Sequence, residues 1–178
     1  MIRNLRRAVA LSIVLIVLCI VYTYVETGIA QVFFKHQADG SLTAYGSTEI
    51  GQTWSGPKWF QGRDDPDTPE ESGPTNYGPR SAQLYDQVKK QEAVLKKEGI
   101  TPTNDLVTGS GSGIDPDIRP ADAYAQADAV ANANDLPVSE IDSLIVKNTS
   151  PTYFGVFGSP YVNVLDLNVA LSKITGSS

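Results

Sequence analysis

The sequence predicts an α+β protein: a compact mixed extracytoplasmic domain attached to a single N-terminal transmembrane helix. Three observations lead to this prediction. An uncharged apolar run lies close to the N-terminus, the remainder alternates turn-rich stretches with helical apolar periodicity, and no internal repeat is visible. A chain of 178 residues, 41% hydrophobic and 19% charged, has the length and composition of one modest domain with a short appendage.

The apolar run is Ala8–Val25, and it contains no charged side chain. As a helix it would extend about 27 Å, close to the roughly 30 Å of a bilayer's hydrocarbon core. Arg3, Arg6 and Arg7 precede it. Because basic residues stay on the cytoplasmic side, we expect the N-terminus on the cytoplasmic side of a membrane and the C-terminal part on the outside.

These observations divide the chain into three parts. We expect residues 1–7 to be cytoplasmic, residues 8–34 to form the transmembrane helix and its extension, and residues 35–178 to form the extracytoplasmic domain. A cleavable signal peptide is the alternative, since Gly28-Ile29-Ala30 loosely matches the small-x-small cleavage rule. The apolar run is longer than the usual signal core, which favours a retained membrane helix.

Composition excludes several classes of function. The net charge of −6 and the pI near 4.7 argue against nucleic-acid binding, which needs clustered Lys and Arg. The single cysteine, Cys19, rules out an intramolecular disulfide, and the single histidine, His36, rules out a multi-histidine metal site. After Ala30 the chain has 11 basic and 19 acidic residues, so the predicted external part carries a net charge of −8.

The first half of the domain is predicted to be turn-rich and to end in one helix. Residues 33–60 are rich in aromatic side chains and broken by glycines, which favours short strands and turns. Residues 62–80 hold four prolines, three glycines and seven charged side chains, and we expect an acidic surface loop there. A helix should follow over Ser81–Glu98, capped by Ser81 and ended by Gly99.

The second half is predicted to alternate strands and helices. Short strands are expected at Asp105–Thr108 and at Tyr153–Phe157. Pro120 should begin an alanine-rich helix that runs to about Asn134. Two further helices are expected, one from Leu136-Pro137 to about Asn148, and one capped by Asn163 whose apolar face holds Val164, Leu167, Leu171 and Ile174.

The glycine-serine segment Gly109–Asp117 lacks the spacing of known nucleotide-binding loops. A phosphate-binding Walker loop needs a Lys and a Ser or Thr after its last glycine, and the dinucleotide fingerprint needs G-x-G-x-x-G; the segment has neither. We therefore expect a tight turn in which glycine permits positive φ and Asp115 or Asp117 accepts hydrogen bonds from nearby backbone amides.

Other catalytic and metal chemistries find little support. Neither Ser110 nor Ser112 is centred in G-x-S-x-G, and the only histidine follows the membrane run directly. The acids of the 62–80 loop do not keep calcium-loop spacing and favour a solvated surface; they are Asp64, Asp65, Asp67, Glu70 and Glu71. The residues thus indicate no catalytic, cofactor-binding or metal-binding side chain.

Several blocks in order along the chain carry a resemblance to a known family. They begin with Val25–Gln31 and include Gln37–Leu42 and Asn76–Pro79. The strongest are Asp105–Ile118 and Gly158–Asn168. Over essentially its full length the chain resembles the C subunit of the bacterial Kdp potassium-transporting ATPase. It departs from the family pattern in having Asp117 where histidine is usual, Arg119 where serine is usual and Ser159 where glutamate is usual.

The resemblance implies a noncatalytic accessory subunit of a high-affinity, ATP-driven K⁺ import complex. Its implied partners are a channel-like potassium-binding subunit and a P-type ATPase subunit, with ATP and K⁺ as ligands of the complex and no cofactor on this chain. The implied roles are assembly and stability, a higher ATP affinity of the pump subunit (a catalytic chaperone), or guidance of K⁺ to the outer entrance. The motif residues expected to contact partners are Ser110, Ser112, Asp115, Asp117, Asn163 and Asn168.

A different class of function stays open at this stage. The chain could be an independent secreted or membrane-anchored extracytoplasmic domain that binds a ligand or hydrolyses a substrate. Cleavage after Ala30 would favour this alternative, whereas an intact chain in the membrane would favour the accessory subunit.

Overall fold

The computed structural model describes residues 2–65 and 71–176, and it confirms an α+β fold with one long apolar N-terminal helix. The chain divides into two compact units, one up to Leu42 and one from Thr43 onward. Part of the predicted acidic loop, residues 66–70, lies outside the described residues. The described residues of 62–80 form no helix or strand.

The first unit is dominated by helix α1, Ile2–Phe33, followed by the short helix α2, Lys35–Ala38. Helix α1 contains the whole run from Ala8 to Val25, and it is long and apolar enough to cross a membrane. None of its described side chains is buried against protein. A helix that is apolar on every face is stable in hydrocarbon rather than in water.

Three hydroxyl side chains inside α1 are hydrogen-bonded within the helix. The hydroxyls of Ser12, Thr23 and Thr27 each donate to the carbonyl four residues earlier, at 3.0, 2.8 and 2.8 Å. These bonds matter because an unpaired polar group in the hydrocarbon core is costly.

The described residues of the second unit form four helices and a three-stranded antiparallel sheet. The pair β1 (Leu42–Thr43) and β2 (Gly46–Ser47) lies where the two units meet along the chain. The following elements are α3 (Ala82–Lys97), β3 (Asp117–Ile118), α4 (Pro120–Ala133), α5 (Val138–Lys147), β4 (Thr149–Ser150), β5 (Tyr161–Asn163) and α6 (Val164–Thr175). The sheet order is β3-β5-β4, with Asp117 opposite Asn163 and Thr149 opposite Val162.

The hydrophobic core lies between this sheet and helices α4, α5 and α6. Its fully buried members include residues from each of these elements; examples are Val130, Ile141, Ile145, Val162, Leu167 and Leu171. Helix α3 contributes one buried side chain, Leu95, because most of its surface is polar. Apart from Phe60, the buried residues of the core lie in the C-terminal half of the chain.

All four predicted helices of the domain are confirmed. The Ser81 hydroxyl accepts a hydrogen bond from the Leu84 amide at 3.2 Å, and Gly99 follows α3 with φ +78°. Asn163 caps α6 by accepting from the Asp166 amide at 3.2 Å. Ile174 is 41% exposed and lies at the edge of the predicted apolar face.

Both predicted strands in the second half are wrong. Asp105–Thr108 lies in a turn, in which the Thr103 hydroxyl accepts a hydrogen bond from the Leu106 amide at 3.3 Å. The side chains of Leu106 and Val107 are buried in this turn. Tyr153–Phe157 is a tight turn whose two end residues form an isolated bridge. In both cases the apolar residues that suggest a strand are instead held by local turn bonds.

Candidate functional site

The segment Gly109–Asp117 is organised around one carboxylate, Asp65. Asp65 Oδ1 accepts from the Ser110 amide at 2.5 Å, and Oδ2 accepts from the Ser110 hydroxyl at 2.7 Å and the Asp115 amide at 3.1 Å. A carboxylate that accepts several hydrogen bonds fixes the conformation of the loop it binds. Asp65, which lies in the acidic segment 62–80, thus connects that segment to the glycine-serine loop.

The two motif serines differ in exposure. Ser110 is 8% exposed, and its hydroxyl oxygen also accepts from the Gly113 amide at 2.8 Å. Ser112 is exposed; its hydroxyl accepts from the Ile114 amide at 3.2 Å, and its carbonyl accepts from the Ser72 hydroxyl at 2.9 Å. Both hydroxyls therefore hold the loop closed from within.

Two glycines allow backbones to approach each other at this loop. Gly113 has φ +74°, and a Cβ placed there would lie 2.8 Å from the Gly73 carbonyl oxygen. A Cβ at Gly51 would lie 2.7 Å from the Asp115 carbonyl oxygen, and the Gly51 amide donates to the Ile114 carbonyl at 2.8 Å. Side chains at either position would collide with backbone.

The predicted tight turn is confirmed. Gly113 has the positive φ expected of a glycine, and Asp115 Oδ1 accepts from the Asp117 amide at 3.1 Å. Asp117 and Asn163 face each other across β3 and β5, where Asn163 Nδ2 donates to Asp117 Oδ1 at 3.0 Å and to the Thr48 carbonyl at 2.8 Å. Three separate segments of the chain therefore meet at Asn163.

The environment of Asp117 is unfavourable for its negative charge. Burial raises the pKa of the Asp117 carboxyl, the Asn163 hydrogen bond opposes the rise, and the nearby acids Asp115, Glu49 and Asp166 add to it. The protonated form is therefore favoured more in the folded protein than in an unfolded chain.

A charged cluster that no sequence motif indicates lies beside the loop. Asp105 accepts from Arg119 Nε at 2.5 Å and has Arg63 Nη1 at 3.9 Å, while Arg63 Nη2 donates to the Gly109 carbonyl at 3.2 Å. The Asp105 contact raises the pKa of the Arg119 guanidinium. Because Arg63 and Arg119 lie far apart in the sequence, no local pattern indicates that both contact Asp105.

Asn168 is fully buried and binds the backbone of Phe60. Its Oδ1 accepts from the Phe60 amide and its Nδ2 donates to the Phe60 carbonyl, both at 2.9 Å. Gln126 makes the same pair of bonds to Gln61, at 2.8 and 3.0 Å. The two buried side chains thus satisfy the backbone amides and carbonyls of Phe60-Gln61, as a neighbouring β-strand would do for an extended segment.

The predicted motif residues are therefore brought together only in part. Ser110, Ser112, Asp115, Asp117 and Asn163 form one connected network, and all except Ser110 reach the surface at least partly. Asn168 lies in the core. Ala8 and Val25, the predicted ends of the membrane span, are both exposed within α1.

Beside this network lies a cavity of about 670 Å³. Its wall includes Trp54, Tyr77, Asp86, Lys90 and Asp115. Within residues 2–65 and 71–176, no group of three or more His, Cys, Asp or Glu side chains is placed to hold a metal ion. The loop's serine hydroxyls and amides bond within the chain, so the arrangement is that of a scaffold that fixes one surface.

Comparison with known proteins identifies the family. Residues 5–173 match the model of the family described as K⁺-transporting ATPase, c chain. The chain belongs to the KdpC family. The potassium-transporting ATPase KdpC subunit of Herminiimonas arsenicoxydans is 40% identical over 187 residues, covering 96% of this chain and 97% of the relative.

Other KdpC relatives match over a similar extent. The KdpC subunit of Acidobacterium capsulatum is 41% identical over 182 residues, which cover 96% of this chain and 98% of the relative. The KdpC subunit of Caldanaerobacter subterraneus subsp. tengcongensis is 38% identical over 182 residues, covering 94% of each. The matched region includes most of α1 and the whole network, so the chain is a subunit of a K⁺-transporting ATPase; its described residues include one apolar helix suited to a membrane.

Proposed function

We propose that this chain is a noncatalytic accessory subunit of a high-affinity, ATP-driven K⁺ import complex in a bacterial plasma membrane. Its role is to assist assembly and to stabilise two larger chains, a channel-like potassium-binding subunit and a P-type ATPase subunit. The observation that carries the proposal is the closed network around Asp65, which uses the loop's hydroxyls and amides to build a fixed surface.

The sequence supports a role without catalysis on this chain. A P-type ATPase forms a phosphorylated aspartate within the motif Asp-Lys-Thr-Gly, and this motif does not occur in the sequence. The G-x-G-x-G spacing at Gly109–Gly113 also differs from the phosphate-binding loops. ATP and K⁺ are therefore proposed as ligands of the complex rather than cofactors of this chain.

The proposed topology places the N-terminus in the cytoplasm and residues 35–178 outside. The three arginines at the start of α1 support this orientation, because short basic segments stay on the cytoplasmic side. ATP is cytoplasmic, so an external domain acts on ATP affinity only through its partner subunits. We therefore place the acidic domain near the outer entrance for K⁺, where its net charge of −8 favours cations within about 8 Å.

Co-purification tests the proposal. With an affinity tag on this chain, the purified membrane complex is expected to contain both larger chains in fixed proportion. A chain that is recovered alone and intact from solubilised membranes would contradict the proposal. A chain cleaved after Ala30 and released from the membrane would favour the independent extracytoplasmic domain, which the family match does not favour.

A further inference from the structure

The turn between β4 and β5 exposes an apolar surface that the network around Asp65 does not use. We call Tyr153–Phe157 the aromatic tip. Its four large side chains, Tyr153, Phe154, Val156 and Phe157, are 73, 87, 77 and 68% exposed. No other stretch among the described residues of the second unit exposes so many neighbouring apolar side chains. Large exposed apolar patches of this kind mark sites of interaction.

The aromatic tip has a defined shape. Tyr153 and Phe157 exchange two backbone hydrogen bonds of 2.9 Å, and the rings of Tyr153 and Phe154 meet edge to face at 5.6 Å. Phe154 has φ +51°, a conformation that a phenylalanine adopts rarely. The turn already holds Phe154 in a disfavoured backbone conformation with its ring exposed. Less conformational entropy is therefore lost when the ring binds a partner.

The charge and the exposed area of the aromatic tip distinguish among the partners that could bind it. Residues 151–161 carry no charge and the domain carries −8, so nothing attracts the tip to anionic lipid and a second copy of the domain is repelled. The exposed side chains offer roughly 500–600 Å², less than the roughly 800 Å² per partner that a stable free-standing complex buries. The patch therefore suits one contact within an assembly that other contacts already hold.

We propose that the aromatic tip seats in an uncharged, apolar recess on the extracytoplasmic surface of another chain of the K⁺-transporting ATPase. The inference rests on the proposed function, because it requires the complex to form. It adds the surface through which the domain docks: Phe154 is the central ring, and Tyr153, Val156 and Phe157 surround it. A ring of this kind, buried at the centre of a contact, carries most of the binding energy of that contact.

Site-specific photocrosslinking in the intact complex tests the docking surface. A photoreactive phenylalanine analogue is placed at Phe154 in the tagged full chain, and the same analogue at Tyr85, a 59% exposed aromatic residue on α3, is the matched control. We expect irradiation to join this chain to a larger chain of the complex, identified by mass spectrometry, at least about tenfold more at position 154 than at 85. A lipid adduct, a self-adduct or equal labelling at both positions would overturn the inference.

Substitution gives a second, independent readout. Phe154→Gly removes the ring and relieves the positive φ, so the free full chain should fold at least as stably as before. In the complex it should lower recovery of the larger chains after detergent challenge by about tenfold, whereas Tyr85→Ala should not. Unchanged recovery would overturn the docking inference while leaving the accessory role intact; if the unsubstituted chain recovers no partner, the proposed function itself fails.

Discussion

At the scale of single residues, two buried amide side chains fix the extended segment at Phe60-Gln61. Asn168 and Gln126 each form a pair of hydrogen bonds with one residue of the Phe60-Gln61 segment. A carboxamide can both donate and accept, so each side chain satisfies one amide and one carbonyl at once. Asn168, which the family resemblance suggests as a partner contact, therefore lies in the core and binds the backbone of Phe60.

Replacing Asn168 should destabilise the domain strongly. Asn168→Ala leaves the buried Phe60 amide and carbonyl without partners, which should cost about 2–4 kcal/mol of unfolding free energy. Denaturant unfolding of the full chain in detergent measures the change. Asn132→Ala, at an exposed position of α4, is the control and should change stability by about 0.5 kcal/mol or less. Similar small changes for both variants would contradict the structural role of Asn168.

Asp117 should make stability depend on pH with a definite sign. Its pKa is raised in the folded state, so the folded chain binds more protons than the unfolded chain between the ordinary carboxyl pKa and the raised one. Through that window, stability due to this group falls as pH rises. Asp117→Asn should therefore raise the melting temperature at pH 7, while its oxygen still accepts from Asn163.

The same variant carries its own control in the pH series. Below the ordinary carboxyl pKa, Asp117 is protonated in both states, so the advantage of Asp117→Asn should disappear. Thermal melts of both proteins from pH 3 to pH 7 measure this convergence. A lower melting temperature for the variant at pH 7 would contradict the unfavourable charge environment described for this carboxyl.

At the scale of elements, local signals predicted the helices and the glycine turn but not the sheet. Ser81, Pro120 and Asn163 stand at helix starts, where their side chains or fixed φ act within one turn of chain. Strands β3, β4 and β5 have only two or three residues each, too few to show alternation, and they pair across as many as 46 positions. Their pairing depends on tertiary packing, which no local pattern encodes.

The candidate site was predictable to the same extent. The turn at Gly113 and the aspartate bonds to backbone amides follow from residue chemistry. The role of Asp65 does not, because the carboxylate and Ser110 are 45 positions apart. The sequence also gives no sign of the charged cluster of Arg63, Asp105 and Arg119. Surface charges are common, and only the fold brings these three residues together.

Two glycines of the same motif should respond differently to alanine. Gly113→Ala requires a side chain at φ +74° and 2.8 Å from the Gly73 carbonyl oxygen, and it should cost about 2 kcal/mol or more. A Cβ at Gly111 meets nothing within 4 Å, so Gly111→Ala should be close to neutral. Denaturant unfolding of the full chain compares them. Equal costs would show that the loop is not packed as described.

At the scale of the whole molecule, an apolar helix and an acidic domain are joined in one chain. No described side chain of the helix is buried against protein, whereas the domain has a hydrophobic core of its own. This division suits a subunit whose helix lies in the membrane while its domain contacts partners outside. Protease added to sealed right-side-out cells should digest the domain and spare α1, and full protection of the domain would contradict the proposed orientation.

The most direct test of the accessory role is ATP hydrolysis by the complex with and without this chain. The two larger chains are purified after expression alone and after co-expression with this subunit, and K⁺-stimulated ATP hydrolysis is measured at equal amounts of the ATPase chain. The proposal predicts that stimulation is lost without this chain and present with it. A complex that is equally stable and equally stimulated by K⁺ in its absence would contradict the proposal.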